Sequence, residues 1–316
     1  MAMKQMNERG RLTTGLWLFL IPFMACDAGE KTLIGNEPGA GRPSSDVTAE
    51  TSSTDQPESG ADEYLLRYRF LEGEVIRYRS EKFGELCFTG AGARKSDLEH
   101  VEQVRRFEVS GIDATGKADL VMQFEQIEMS RQVNDDPPVV FRSTMKPSEI
   151  PKMFARVADR LRREAPKFSV MPTGMPTNKN EEIKLPEKAD DPETRLMPPL
   201  PEAPVQTGDS WTYITPVKVR IAKDFTREIQ LLTTYRLESV ENGIARIKFS
   251  TSPVRRLKSI VAKAQLVSAR PRGYFLMDIK AGRLIKRVTR NDNSVHGVQG
   301  PQSLVTYSSE MIEELL

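Results

Sequence analysis

The chain has 316 residues, of which 38% are hydrophobic and 28% are charged, and its formal net charge is +2. This length suits one large domain or two small ones. Cys26 and Cys87 are the only two cysteines, too few for a scaffold held by disulfides. The near-neutral net charge by itself excludes no class of partner.

The N-terminal segment has the pattern of a secretory signal. Lys4, Arg9 and Arg11 precede an apolar run over residues 16–25. A membrane-spanning helix needs about 20 apolar residues, so this run is too short to cross a bilayer. A basic segment, a short apolar run and a small residue are typical of a signal peptide. We therefore predict a signal peptide over residues 1–25 and an extracytoplasmic location on the periplasmic side of the cell envelope. A buried N-terminal helix is the alternative, but no helical period continues after the run.

Cys26 is the predicted site of lipid attachment. Phe23-Met24-Ala25-Cys26 resembles the lipobox of bacterial lipoproteins, in which a Cys after a small residue becomes the acylated N-terminus. Ala25 and Cys26 match this pattern, whereas Phe23 stands where Leu is usual. Cleavage for ordinary secretion near Cys26-Asp27-Ala28 is the alternative.

The following residues predict a disordered tether over 26–62. They are rich in Gly, Ser, Thr, Pro, Asp and Glu, so they bury too little apolar surface to offset the entropy of ordering. A flexible chain of this length has a reach of about 30–35 Å. A tether favours an anchor at its end, and we therefore expect a membrane-anchored protein.

The state of Cys87 depends on Cys26. If Cys26 is acylated, Cys87 is a lone thiol that we expect to be buried. If Cys26 is free, a disulfide between Cys26 and Cys87 is the alternative. A catalytic Cys87 is disfavoured, because no pattern indicates the base and the electropositive surroundings that such a thiol needs.

From residue 64 onward, apolar and polar residues alternate. Alternation occurs in residues 64–70, 118–126, 217–221 and 227–238, and a period of two is typical of a strand with one wet face. We predict a mainly β fold (β-rich α+β) of antiparallel meander sheets.

The two halves of this region resemble each other. Residues 72–78 resemble 207–213, and residues 107–124 resemble 237–249. We therefore expect two similar β lobes or half-barrels, over 63–177 and 205–316, joined by a Pro- and acid-rich connection over 178–204. A duplication explains the likeness, and so do two hairpins built with the same turn chemistry.

Helical patterns occur at two places. The first is an amphipathic helix near 148–164, with Ser148 as cap, Pro151 in the first turn and an apolar stripe that includes Phe154, Val157 and Leu161. The second is a short helical end over residues 308–316.

Motifs for catalysis or metal binding are missing. The sequence lacks HExxH, GxSxG, a P-loop and paired CxxC, so we assign no catalytic residues, no metal and no cofactor. Asp135-Asp136 and Asp190-Asp191 are interpreted as solvated turn carboxylates rather than calcium ligands.

Positive charge is concentrated in residues 251–290. This stretch has eleven Lys and Arg against a single acid, Asp278. It favours an anionic lipid, a cell-wall polymer or an acidic protein as partner. Nucleic acid is not expected, because aromatic residues are not interleaved with the charges. Solvated faces of strands are the alternative explanation and the one that we favour. The six candidate anion-binding residues are Arg255, Arg256, Lys258, Arg283, Lys286 and Arg287.

A family resemblance rests on Gly208-Asp209-Ser210-Trp211 and Tyr235-Arg236-Leu237-Glu238. In these motifs the chain resembles uncharacterised exported β-rich proteins and lipoproteins common in planctomycetes and their relatives. The resemblance implies an envelope location and a two-part β fold, with no activity to carry over.

Two functional classes follow from the sequence. The favoured one is an exported, membrane-anchored envelope lipoprotein with a non-enzymatic binding or structural role. A binding role predicts a groove or cavity, whereas a structural role predicts a filled core. The alternative is an extracytoplasmic hydrolase, which requires His100 or His296 to lie in a cleft beside a carboxylate.

Overall fold

A computed structural model describes residues 62–90, 92–162, 165, 167–177, 197–222 and 225–316. The predicted signal peptide, Cys26, nearly all of the predicted tether and most of the predicted connection lie outside the described residues. Asp190-Asp191 lies outside them as well. Residues 60–316 form one compact unit.

The described residues contain twelve strands in one antiparallel sheet. In chain order the strands are β1 (Val75–Gly90), β2 (Ala93–Ile112), β3 (Ala118–Val133), β4 (Val139–Arg142), β5 (Lys167–Val170), β6 (Pro176–Thr177), β7 (Ser210–Ala222), β8 (Phe225–Glu241), β9 (Ile244–Pro253), β10 (Arg272–Asp278), β11 (Arg283–His296) and β12 (Leu304–Leu315). The order across the sheet is β6-β5-β3-β2-β1-β12-β11-β10-β9-β8-β7, with β4 also paired to β3.

This architecture confirms the predicted mainly β class and the antiparallel meander. Strands of both predicted lobes enter the same sheet, because β1 pairs along its length with β12. The sheet is open, with β6 and β7 at its two ends. The boundaries of the predicted lobes stay a prediction.

One face of the sheet, called here the inner face, carries the main apolar core. Residues of β2, β3 and β5 and residues of β8, β9 and β10 enter a single buried cluster. Because strands from both ends of the sheet contribute to it, the sheet curves around this cluster. The opposite face is called the outer face.

An extended segment, Tyr64–Phe70, fills the space between the two sides of the curve; we call it the strap. Leu66, Tyr68 and Phe70 are buried in the core, as their alternation predicts. The strap is nevertheless not a strand of the sheet. Its backbone amides donate to separate segments, Tyr68 to the Pro172 carbonyl at 2.7 Å and Arg69 to the Gly282 carbonyl at 3.2 Å.

The amphipathic helix predicted near 148–164 is present but shorter. The α-helix α1 covers only Ala155–Leu161, after two 3-10 turns at Pro147–Glu149 and Lys152–Phe154. Ile150 precedes Pro151 and is extended, with ψ of 120°, because the proline ring disfavours a helical conformation in the residue before it. Most of the predicted apolar stripe faces the core, since Phe154, Val157 and Leu161 belong to or pack against the cluster of β3 and β4 residues.

A second helix, α2 (Ile260–Gln265), was not predicted. Ser259 caps it, as its hydroxyl oxygen accepts a hydrogen bond from the Ala262 amide at 3.2 Å. Six residues are too few to show a helical period in the sequence. Neither α1 nor α2 is long and apolar enough to cross a membrane, and no other helix of the described residues is.

Cys87 is buried in β1, which confirms the predicted environment of this thiol. The Arg94 guanidinium donates a hydrogen bond to its sulfur at 3.3 Å.

The strap provides a direct test of the core. Leu66 is 0% exposed and its neighbour Leu65 is 50% exposed. We expect Leu66→Ala to lower the free energy of unfolding by about 2–5 kcal/mol, because it leaves a cavity in a packed core. Leu65→Ala should change it by less than about 0.5 kcal/mol. Urea unfolding of both variants measures the difference, and equal effects would show that the strap is not part of the core.

Candidate ligand-binding site on the inner face

Beyond the apolar core, the inner face becomes polar. Residues opposite one another on neighbouring strands point to the same side of a sheet. Ser80 of β1 is opposite Glu313 of β12, and Glu313 is opposite Arg287 of β11. Two residues further along, the same strands place Lys82, Met311 and Thr289 side by side. The polar residues of this region are buried and are called here the polar layer: Ser80, Lys82, Arg105, Arg287, Thr289, Asn291, Ser309 and Glu313.

The centre of the polar layer is an ion triad. Glu313 Oε2 accepts from Arg105 Nη2 at 2.7 Å and from Arg287 Nη2 at 2.6 Å. The three side chains are only 6%, 3% and 1% exposed for Arg105, Arg287 and Glu313. Desolvation of three charges is costly, and their mutual attraction offsets it only with close geometry of this kind. Two guanidinium groups and one carboxylate give the triad a net charge of +1.

Buried polar atoms of the polar layer without a hydrogen-bond partner include Arg105 Nε, which only donates, and the Thr289 hydroxyl, which donates and accepts. Buried polar groups in folded proteins are nearly always hydrogen-bonded, to protein or to a bound molecule. The two atoms are therefore candidate contacts for a bound polar group.

Tyr78 lies at the boundary between the polar layer and the core. It is opposite Arg105 on the neighbouring strand. Burial raises the pKa of its phenol, and the charge of Glu313 raises this pKa further. Its hydroxyl therefore stays neutral and can donate at any physiological pH.

Several apolar clusters lie around the polar layer. The main core adjoins the layer on one side along the strands. The cluster of Val267, Val295 and Val305 adjoins it on the opposite side. Towards β3 the cluster covered by α1 begins at Ile127 and Met129, and towards β7 and β8 the cluster covered by α2 begins at Leu231. The inner face thus combines buried cations with surrounding apolar surface.

The six predicted anion-binding residues do not form one surface. Arg287 belongs to the polar layer, but Lys286, the next residue, forms an ion pair with Glu314 at 2.6 Å. Arg283 forms an ion pair with Glu74 and lies over the Phe70 ring.

The other three predicted cations are exposed in the loop between β9 and α2: Arg255, Arg256 and Lys258. Anion binding by this loop stays a prediction.

Sequence reasoning missed Arg105, Thr289 and Glu313. Glu313 was placed in a helical C-terminal end, which is wrong: residues 304–315 form β12. A charged residue at an inward position breaks the apolar alternation, so the pattern does not identify β12 as a strand. Ser309, Met311 and Glu313 do point to the same face, but their unlike polarities hide this period of two.

A separate depression of about 610 Å³ lies on the sheet around Phe83 and His100. His100 Nε2 is 3.0 Å from Glu81 Oε1, so one condition of the hydrolase alternative is met. No hydroxyl or thiol of the described residues is hydrogen-bonded to His100, and an acyl-transfer triad needs such a nucleophile. His296, the other histidine, is exposed.

Within the described ranges, no three His, Cys, Asp or Glu side chains come together to hold a metal ion. Asp135 and Asp136 are exposed in the turn between β3 and β4.

Comparisons with known proteins give only distant likenesses. No family model matches the chain, and no curated protein matches it. A structure of lipid–protein interactions in lipovitellin is 12% identical, with a TM-score of 0.46 over 78% of this chain and 25% of that one. The chain thus spans about a quarter of the length of lipovitellin.

Two further solved structures are less similar. DynF from the dynemicin biosynthesis pathway of Micromonospora chersina is 7% identical, with a TM-score of 0.18 over 86% of this chain and 92% of that one. A DUF1329 family protein from Desulfovibrio piger is 12% identical, with a TM-score of 0.13 over 75% and 83%. At such scores the likenesses carry no functional argument. The resemblance to planctomycete proteins stays a prediction.

Removing the carboxylate of the triad tests its structural role. We expect Glu313→Gln to lower the free energy of unfolding by about 3–5 kcal/mol, because it leaves two buried guanidinium groups without their counter-charge. Glu314→Gln is the matched control, since its ion pair with Lys286 is exposed and is worth about 0–1 kcal/mol. Thermal and urea unfolding measure both, and a mild effect of Glu313→Gln would contradict a buried triad.

Proposed function

We propose that the chain is an exported envelope lipoprotein that binds an amphipathic, anionic ligand on its inner face without chemically changing it. The observation that carries this proposal is the net positive ion triad beside two unpartnered buried polar atoms, Arg105 Nε and the Thr289 hydroxyl. An anionic oxygen can accept a hydrogen bond from either atom. Charge-assisted hydrogen bonds of this kind are short and strong.

The surroundings of the polar layer favour an amphipathic ligand over a small inorganic anion. Buried apolar clusters lie around the layer, so the apolar part of a ligand bound there would contact apolar side chains. Burial of an acyl chain contributes about 0.8 kcal/mol for each methylene group. A lipid with an anionic headgroup satisfies both parts of the site.

The predicted N-terminal organisation supports the same function. A lipid on Cys26 and a tether over 26–62 would hold the body within about 30–35 Å of a membrane surface. The strap begins at Tyr64, directly after the tether, and it packs in the core of the inner face. An anchored protein of this design would have a membrane as its source of lipid ligand.

The ligand proposal is tested by lipid analysis of the purified full-length protein. We expect an anionic lipid to co-purify with the wild type, and to be reduced about tenfold by Thr289→Val, which removes one hydrogen bond to a charged group. The same variant should not destabilise the lipid-free protein, because the hydroxyl has no partner there. Arg105→Gln should also lose lipid, whereas Arg106→Gln, which changes a residue ion-paired with Glu108, should not. Lipid-free wild type, or equal lipid content in all variants, would contradict the proposal.

The anchor has its own test. Mass spectrometry of the mature N-terminus should give Cys26 carrying acyl groups, and Cys26→Ser should release the protein from membranes into the soluble fraction. An unmodified N-terminus at Gly29 would end the lipoprotein proposal while leaving ligand binding on the inner face untouched.

Hydrolysis is the second candidate function, favoured by the hydrogen bond between His100 and Glu81 in a depression of about 610 Å³. This candidate predicts turnover of a generic ester or glycoside substrate that His100→Gln abolishes. The favoured proposal predicts no turnover above that of an unrelated protein.

A further inference from the structure

The depression around Phe83 lies on the outer face, on the side of the sheet opposite to the polar layer. Successive residues of a strand point to opposite faces. Phe83 therefore points away from its neighbour Lys82, which belongs to the polar layer. The proposed ligand of the inner face makes no use of this second surface.

Two adjacent cross-strand rows form the depression. The first row runs across six strands, from β3 to β10, as Ser130, His100, Phe83, Glu310, Arg290 and Arg272. The second row runs beside it as Gln132, Leu98, Glu85, Ser308 and Asp292. All eleven residues line the depression, and the remaining lining residues are the positions between the two rows. Because paired strands hold both rows, the arrangement is rigid.

An aromatic platform stands near the centre of the depression. Phe83 is 54% exposed, although a large apolar ring is normally buried. One face of its ring is stacked on His100, with ring centroids 4.2 Å apart and planes only 6° apart. The side chain of Glu81 is hydrogen-bonded to His100 and so fixes the position of the His100 ring. The platform is therefore fixed in orientation before any ligand arrives.

Polar groups of both signs surround the platform. Arg290 and Glu310 form an exposed ion pair with a nitrogen–oxygen distance of 3.1 Å. Ser130, Gln132 and Asp292 make no side-chain hydrogen bond with the described residues, so their donors and acceptors are open to a ligand. Together these groups supply hydroxyl, amide, carboxylate and guanidinium functions.

This combination excludes several ligand classes. A polyanion would meet Glu85, Asp292 and Glu310, and a polycation would meet Arg272 and Arg290, so either would have like charges juxtaposed. An acyl chain would find only Phe83 and Leu98 as large apolar side chains in the two rows. A hexopyranose ring fits all the constraints, because its C–H face is apolar and its rim carries neutral hydroxyl groups.

We propose that the outer-face depression binds a neutral oligosaccharide, with one sugar ring stacked on Phe83 and its hydroxyl groups hydrogen-bonded to the surrounding side chains. The volume of about 610 Å³ falls within the range of about 300–1,000 Å³ that is usual for ligand pockets. The side chains named here touch a ligand of the outer face only.

Calorimetric titration of the full-length protein tests this proposal with two probes, the tetramers of β-1,4-linked N-acetylglucosamine and of β-1,4-linked glucose. We expect at least one probe to bind, and Phe83→Ala to weaken its binding about tenfold through loss of the stacking surface. Phe83→Trp should restore it. Phe225→Ala is the matched control, since Phe225 is 56% exposed at the start of β8, and it should leave binding unchanged.

Three results would overturn the proposal. They are no binding of either tetramer at millimolar concentration, an equal loss in Phe83→Ala and Phe225→Ala, and tight binding of inorganic pyrophosphate in place of the sugars. Thr289→Val should leave saccharide binding unchanged. Failure of the inner-face proposal and failure of this one are therefore distinguishable.

Discussion

The carboxylate of Glu313 links the two halves of the sheet through buried side chains. It lies on β12, between β1 from the first half and β11 from the second. Arg105 of the first half and Arg287 of the second both donate to the same oxygen. The two halves of the sheet are therefore joined by the ion triad as well as by backbone hydrogen bonds between strands. A buried carboxylate with two guanidinium partners fixes the register of three strands, since a shift of one residue would move a charge to the wrong face.

The same geometry links stability to binding. An apolar seam of equal volume would often be as stable as a buried ion triad, or more stable. The triad instead leaves a positive charge, and unpartnered hydrogen-bonding atoms remain beside it, at Arg105 Nε and Thr289 Oγ1. A bound anion would remove both costs at once. Because alternate residues of a strand face opposite sides of the sheet, the outer face does not share its side chains with the polar layer. Phe83 and His100 there form a second surface with different chemistry.

The sequence predicts the class of the fold well, because alternation of apolar and polar residues is a local property of each strand. It predicts Leu66, Tyr68 and Phe70 as inward-facing, but not that their segment is a strap, because hydrogen bonds to Pro172 and Gly282 depend on distant parts of the chain. Helix α1 was predicted too long because its apolar stripe begins at Ile150, where the ring of Pro151 disfavours a helical conformation. The inner-face site was predicted only at Arg287. Its residues are polar at inward positions, and only the pairing of β2, β1, β12 and β11 brings them together.

The central claim is that the polar layer holds the anionic head of a lipid, and photocrosslinking tests it most directly. A phosphatidylglycerol with a diazirine on its headgroup, bound to the full-length protein and activated, should label peptides of β11 and β12 whose side chains face the polar layer, around Thr289 and Met311. Thr289→Val should reduce this labelling. Labelling confined to the outer face around Phe83, or labelling that is unaffected by the substitution, would contradict the account.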